Sequence, residues 1–397
     1  MNKQLKIYRA NIVTPTEVIK NGTVEIDGDR IVGIKEGIPD KIEKHDIDAG
    51  GNWLLPGLVD SHSDAIEIEL EPRPSSKFPI EVSFYELEKK LVGEGITTIY
   101  HSLSLYEENA KKWIRQNQTV IQIIEDIKRL AIKQHLIRHK THLRFEITNK
   151  SGVPDVERLI KTNKIDQLSF MDHTSGQGQY RDIDMHKNFL MEHRHYSEEE
   201  ALQIIEESKS MEKLDRKTLQ EIANLATQYD IPIASHDDDT IEKLSMLKEW
   251  NASISEFPIE FEVAKKAKEM GLYVVMGAPN ALLGKSHSNN LSAMEAILSG
   301  LVDIFCSDYY PSSMLHAPFK LANTYLPINE AINMVSLNPA KALKLDHEVG
   351  SIEIGKKADL LIVSEDGVRP VLHTVLVDGH IVCQMNYHSQ SLTRVIH

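Results

Sequence analysis

Cysteine is almost absent from this sequence. Two occur in 397 residues, Cys306 and Cys383, so a disulfide framework is excluded and a reducing, cytoplasmic setting is expected. No apolar run reaches the roughly 18 residues a membrane-spanning helix needs. The opening stretch MNKQLKIYRANIV has neither the apolar core nor the cleavage site of a secretory signal. Positive charge is also scarce: 45 Lys and Arg stand against 59 Asp and Glu, a net −14. That balance excludes a general nucleic-acid or anionic-membrane surface, although a metal or a few local cations can still dominate one pocket. Internal repeats and low-complexity tracts are missing as well.

The chain does have 18 histidines, several of them at the ends of apolar runs. Hydrophobic content of 41% and charged content of 26% fit an ordinary globular protein. Both chain ends read as short β pieces with Asp-Gly hairpin signals at 27–28 and 378–379. They are expected to form one small β-sandwich domain, from 1–53 and 346–397.

Residues 54–345 alternate strand and helix. Strands are expected at 54–61, 96–101, 141–147, 167–172, 232–235, 252–256, 272–277 and 302–307. Helical patterns cover 113–134, 153–163, 239–250, 259–270 and 290–300. Eight strands alternating with helices predict a parallel (β/α)8 TIM barrel. Residues 174–231 are too long for one crossover, so a lid-like excursion with helices at 197–209 and 212–229 is expected.

Active sites of such barrels gather at the C-terminal ends of the strands. Residues capable of holding a divalent metal stand at those ends: His62 and Asp64, Glu146, His173, His236, Glu256 and Asp308. His62 and Asp64 lie two apart, a spacing that aims both side chains to one side of a strand. A carboxylate such as Glu146 or Asp308 can bridge two metals or accept a proton from a water that the metal has acidified. Glu256 also fits a supporting position behind the ligands. Asp237 to Asp239 fit a helix N-cap cluster equally well, and that is the favoured reading of Asp239.

Longer motifs add a resemblance. LLPGLVDSHSD, NPAKALKL and GSIEIGKKADLLIV are similar to those of the amidohydrolase superfamily, over nearly the whole chain. HLRFE, SFMDHTSGQGQY, ASHDDDT, MGAPNALLGKSHSNN and SDYYPSSML resemble its PhnM-like branch. That branch comprises the α-D-ribose 1-methylphosphonate 5-triphosphate diphosphatases of the carbon–phosphorus lyase pathway. Two departures from the superfamily stand out: His62-Ser63-Asp64 replaces His-x-His, and Glu146 takes the place of the lysine that often bridges two metals.

The resemblance implies hydrolysis of a small phosphorylated sugar to its 5-phosphate and pyrophosphate. It implies one or two divalent ions, Zn first, with Mn or Fe as alternatives. His62, Asp64, Glu146, His173 and His236 would be ligands, and Asp308 a ligand and the catalytic proton acceptor. Arg73, Arg144, Arg181, Lys285 and His287 become candidate phosphate contacts. Arg144 also fits an internal salt bridge. Lys133, Arg138 and Lys140 read as a solvated helix end. A homodimer is expected from the size of such barrels. The competing readings are hydrolysis or deamination of a cyclic amide or amidine, which needs fewer basic residues, and a catalytically silent scaffold of the same fold, which predicts lost ligands.

Overall fold

The computed structural model describes residues 4–387 except 74, 195, 285–290, 292 and 368. Eight parallel strands follow one another in chain order: Leu58–Ser63, Ile96–Leu105, Arg138–Glu146, Gln167–Met171, Ile233–His236, Ile254–Glu256, Tyr273–Gly277 and Ile304–Cys306. Apart from a partly exposed start to the third and seventh, they are buried throughout, as parallel strands between a filled interior and an outer ring of helices must be. The eighth strand returns to the first at the mouth. Asp308 donates its N–H to the His62 carbonyl at 2.9 Å, and Asp64 donates to the Asp308 carbonyl at 2.7 Å. Lower down, Val59, Tyr100, Ala234, Ile254, Val275 and Ile304 fill the interior. The barrel is therefore a packed core with its chemistry at one end.

The apolar run expected as a single strand over 54–61 divides in two. Trp53–Pro56 joins a second sheet, and Leu58–Ser63 opens the barrel. Gly57 stands at the division. A Cβ there would fall 2.2 Å from Thr97 Oγ1 of the second barrel strand, so only glycine lets that strand approach so closely.

Both chain ends build the second sheet, in the order 380–384, 369–377, 360–366, 53–56, 5–13, 18–27, 30–36. Its last strand curls back, and Ile31 donates to the Lys356 carbonyl at 2.9 Å. Ile7, Ile12, Val24, Ile31, Leu360 and Ile362 close around one core.

Arg138 and Lys140 do not end a solvated helix. They begin the third strand, where Arg138 pairs with Asp359 and Asp378 of the second sheet and Lys140 with Asp166 at 3.3 Å. Partly buried guanidinium and ammonium groups need carboxylates beside them, and a sequence does not show which ones arrive.

Among the described residues the excursion holds three α-helices, Ile183–Arg194, Glu198–Ser210 and Arg216–Gln228. The first was not expected from the sequence. The second starts with a capping box between Ser197 and Glu200. No described helix is long and apolar enough to cross a membrane.

Candidate metal centre

The third strand places His142, Arg144 and Glu146 on one face, because alternate residues of a strand share a side. They rise as a ladder from the barrel interior to its mouth. His142 is fully buried, its ring held between Ser102 Oγ (3.3 Å) and Ser169 Oγ (2.9 Å). Burial pushes it down to about 3, so it is neutral.

Above it the rings of His62 and His236 stack at 5.3 Å and 16°. Glu256 joins them, with Oε1 3.2 Å from His62 Nδ1 and Oε2 3.3 Å from His236 Nδ1. Burial alone would raise the Glu256 carboxyl, but His62 and His142 hold it well below the usual carboxylate range. Burial lowers His62 and Glu256 raises it by more, so its net shift is upward.

Arg144 crosses the centre. Its Nη1 donates to Asp64 Oδ1 at 2.9 Å, and its Nη2 points at His236 Nε2 at 3.2 Å. A guanidinium only donates, so Nε2 of His236 carries the lone pair and Nδ1–H faces Glu256. Burial, and then Arg144, keep His236 well below its ordinary value. Against the effect of burial, the same guanidinium holds Asp64 below the usual range.

His173 is fixed in the same style. Glu146 accepts its backbone N–H at 2.9 Å on Oε1 and lies 2.8 Å from Nδ1 with Oε2. A carboxylate on Nδ1 leaves Nε2 as the ligand nitrogen. Glu146 was expected among the ligands; here both of its oxygens face His173.

Three residues past strand ends adopt left-handed backbone: Asp237 (φ 51°), Phe257 (φ 55°) and Asp308 (φ 55°). This conformation costs free energy for any residue with a Cβ, and such positions cluster at functional sites. Asp308 is half-buried at the seam, and desolvation there, with the Asp64 carboxylate second, pushes it up to about 6. Burial also raises Asp237.

Among the described residues two groups could hold a cation, His62–His142–Glu256 and His173–His236–Asp237, each with its ligand atoms within 4.8 Å of one another. Only the second lines the large cavity over the barrel mouth, as do Asp64, Arg144 and Asp308. The donors suit a divalent ion of the Zn, Mn or Fe kind. Buried polar atoms are normally hydrogen-bonded, yet Nε2 of His62 and Oδ2 of Asp237 have no hydrogen-bond partner.

The cavity holds about 960 Å³. Arg73 lines it, as expected. Arg181 pairs instead with Glu260, and Lys285 and His287 lie outside the described residues. The sequence reading missed His142, whose spacing from Arg144 was a usable signal. It also missed Lys111 and Lys112, which line the cavity from an irregular segment with no periodicity to mark it, and Arg115, which lines it from the short 3-10 helix Trp113–Arg115. Lys112 and Arg115 reach the buried Glu67 at 3.5 and 3.1 Å.

Comparison with known proteins agrees with this architecture. A model of the amidohydrolase family matches residues 53–382. The chain is 30% identical to the α-D-ribose 1-methylphosphonate 5-triphosphate diphosphatase of Escherichia coli (strain K12), over 90% of this chain and 94% of that one. It is 22% identical to a 5-methylthioadenosine/S-adenosylhomocysteine deaminase of Thermoanaerobacter pseudethanolicus, over 88% and 82%. Among solved structures, 5-methylcytosine deaminase from Klebsiella pneumoniae superposes with a TM-score of 0.67 at 15% identity, covering 97% of this chain and all of that one. L-Hydantoinase from Arthrobacter aurescens gives 0.66 at 14% identity, covering 97% and 96%.

Proposed function

The chain belongs to the amidohydrolase family, and on that premise we propose that its barrel mouth hydrolyses a phosphoanhydride of a ribose 5-triphosphate. The leading substrate is that of the Escherichia coli relative, α-D-ribose 1-methylphosphonate 5-triphosphate, with the 5-phosphate and pyrophosphate as products. One observation carries the reading. A single cavity joins the His173–His236–Asp237 group to five cationic side chains, Arg73, Lys111, Lys112, Arg115 and Arg144. Lys112 and Arg115 also face Glu67, and Arg144 faces Asp64, so Arg73 and Lys111 carry most of this argument; a cyclic amide has no charge for them to meet, which disfavours the deaminase-like alternative.

His173, His236 and Asp237 would hold the cation, Zn first, which would replace Arg144 Nη2 on Nε2 of His236, with Glu146 and Glu256 fixing the two rings from behind. When bound, a divalent ion polarises a phosphoryl oxygen and acidifies water. The chain's own groups do the rest. Arg144 keeps a permanent positive charge at the centre and neutralises Asp64. Arg73 and Lys111 face the outer phosphates, since fixed cations stabilise charge that builds up on leaving oxygens. Asp308, pushed up to about 6, is poised to accept a proton from the attacking water and return it to the leaving pyrophosphate.

The test is pyrophosphate release from the phosphonate triphosphate in Zn²⁺ or Mn²⁺, for the wild type and Asp308→Asn. The wild type should turn over, chelation should stop it, and Asp308→Asn should lose roughly 10²–10⁴-fold in kcat. A fully active Asp308→Asn protein removes the proton-transfer role. A wild type that binds no divalent ion and releases no pyrophosphate overturns the function.

A further inference from the structure

The cavity has two chemically different ends. One is the ligand cluster with its carboxylates and Arg144. The other is formed by the excursion and is mostly aromatic and apolar: Tyr180, His186, Phe189, Tyr196, Ile204 and Met211 line it, with Glu207 and Ser208 as its polar members. The two ends adjoin, with ring centroids of His173 and Tyr180 6.3 Å apart and Phe189 a further 6.4 Å on. Tyr180 stacks on His186 at 4.0 Å and 20°, and Ser175 Oγ holds the His186 ring at 3.1 Å. This end is therefore built from fixed rings. Phe189 and Met211 each keep 37% of their surface exposed, and both line the cavity. Exposed apolar area in a concave, polar-rimmed site marks the place of an apolar ligand group. The methylphosphonate ribose offers a single methyl group to cover it.

We propose that the excursion forms a second subsite for a heteroaromatic base, so that nucleoside 5′-triphosphates are also hydrolysed here, to the nucleoside 5′-phosphate and pyrophosphate. The inference rests on the phosphoanhydride reading above and adds the base as a recognised group. The water oxygen bonds to the α-phosphorus, and the bond from that phosphorus to the oxygen bridging it to the β-phosphorus breaks. Pyrophosphate leaves with the electron pair, and Asp308 takes the proton of the water. Phe189 and Met211, both lining the cavity, supply the apolar contact for the base.

The experiment compares pyrophosphate release from ATP with that from ribose 5-triphosphate, which has the same phosphates and no base, using full-length protein in Mn²⁺. Base–aromatic stacking predicts that kcat/KM for ATP exceeds that for ribose 5-triphosphate by about tenfold or more. AMP should likewise inhibit more strongly than ribose 5-phosphate. Phe189→Ala should reduce the ATP-to-ribose-triphosphate ratio at least several-fold, and Phe189→Trp should keep it. Equal efficiencies on the two substrates, or a ratio untouched by Phe189→Ala, overturn the base subsite. Turnover of the phosphonate triphosphate without any of ATP does the same and leaves the phosphoanhydride reading intact. Failure on all three substrates would instead overturn the phosphoanhydride reading.

Discussion

Substituting Glu146 by Gln asks whether this carboxylate binds metal directly or acts through His173. In the wild type both oxygens serve His173, one taking its backbone N–H at 2.9 Å and the other 2.8 Å from Nδ1. Gln keeps the shape and can still accept the backbone bond with its carbonyl oxygen. Its NH2 then faces Nδ1. To avoid donor against donor, the imidazole must move its proton to Nε2, which deprives the cation of that lone pair. Otherwise the amide rotates and the backbone N–H loses its acceptor. Either way a hydrogen bond to a charged group, worth about 1.5–3 kcal/mol, is lost. Supporting partners of this kind are worth roughly 10–100-fold in metal affinity, or about 1.4–2.7 kcal/mol. The assay is Zn²⁺ affinity by competition with a fluorescent chelator, with the ion count taken by mass spectrometry. The expected outcome is a 10–100-fold weaker Kd at unchanged stoichiometry. Unchanged affinity would refute the positioning role. Loss of a bound ion altogether would make Glu146 a direct ligand.

Other outcomes follow from the same geometry. In metal-free protein the Asp308 carboxyl should titrate near 6 by carbon-13 NMR. Asp64→Asn should lower that midpoint, because the Asp64 charge adds to burial in raising it; an ordinary midpoint in both proteins would refute the assignment. Removing Arg144 as Ala strips the half-buried Asp64 carboxylate of its partner and should cost about 1–3 kcal/mol in metal-free protein, measured by urea unfolding, with part of the loss recovered on adding Zn²⁺. An effect below about 1 kcal/mol would show that Asp64 is solvated without Arg144. Gly57→Ala drives a methyl group into Thr97 and should cost about 1–3 kcal/mol. A neutral result would mean that the two strands can part at no cost.

The family, the alternation of the barrel and the strand-end histidines were legible because each rests on local pattern. Parallel strands buried on both faces read as apolar runs, and a polar residue that interrupts such a run at its C-terminal end stands out. That logic led to His62, His173, His236 and Asp308, which the barrel does bring to one mouth. It gave no help at Lys111 and Lys112, which reach the cavity from an irregular turn. Nor did it anticipate the helix Ile183–Arg194, whose surface turns partly toward the cavity.

The sequence by itself determined which side chains stand at each strand end and which face of its strand each occupies, since a period of two is a property of the extended backbone. Tertiary structure alone decided what each of them meets. It set both oxygens of Glu146 on His173, drew Arg144 to Asp64 and His236, and raised Asp308 by burying it near Asp64. Hydrogen bonds and charge–charge interactions depend on distances of a few ångströms and on local burial. Both are set between strands far apart in the chain, so the same residues could have been ligand, orienting partner or salt bridge until the barrel closed.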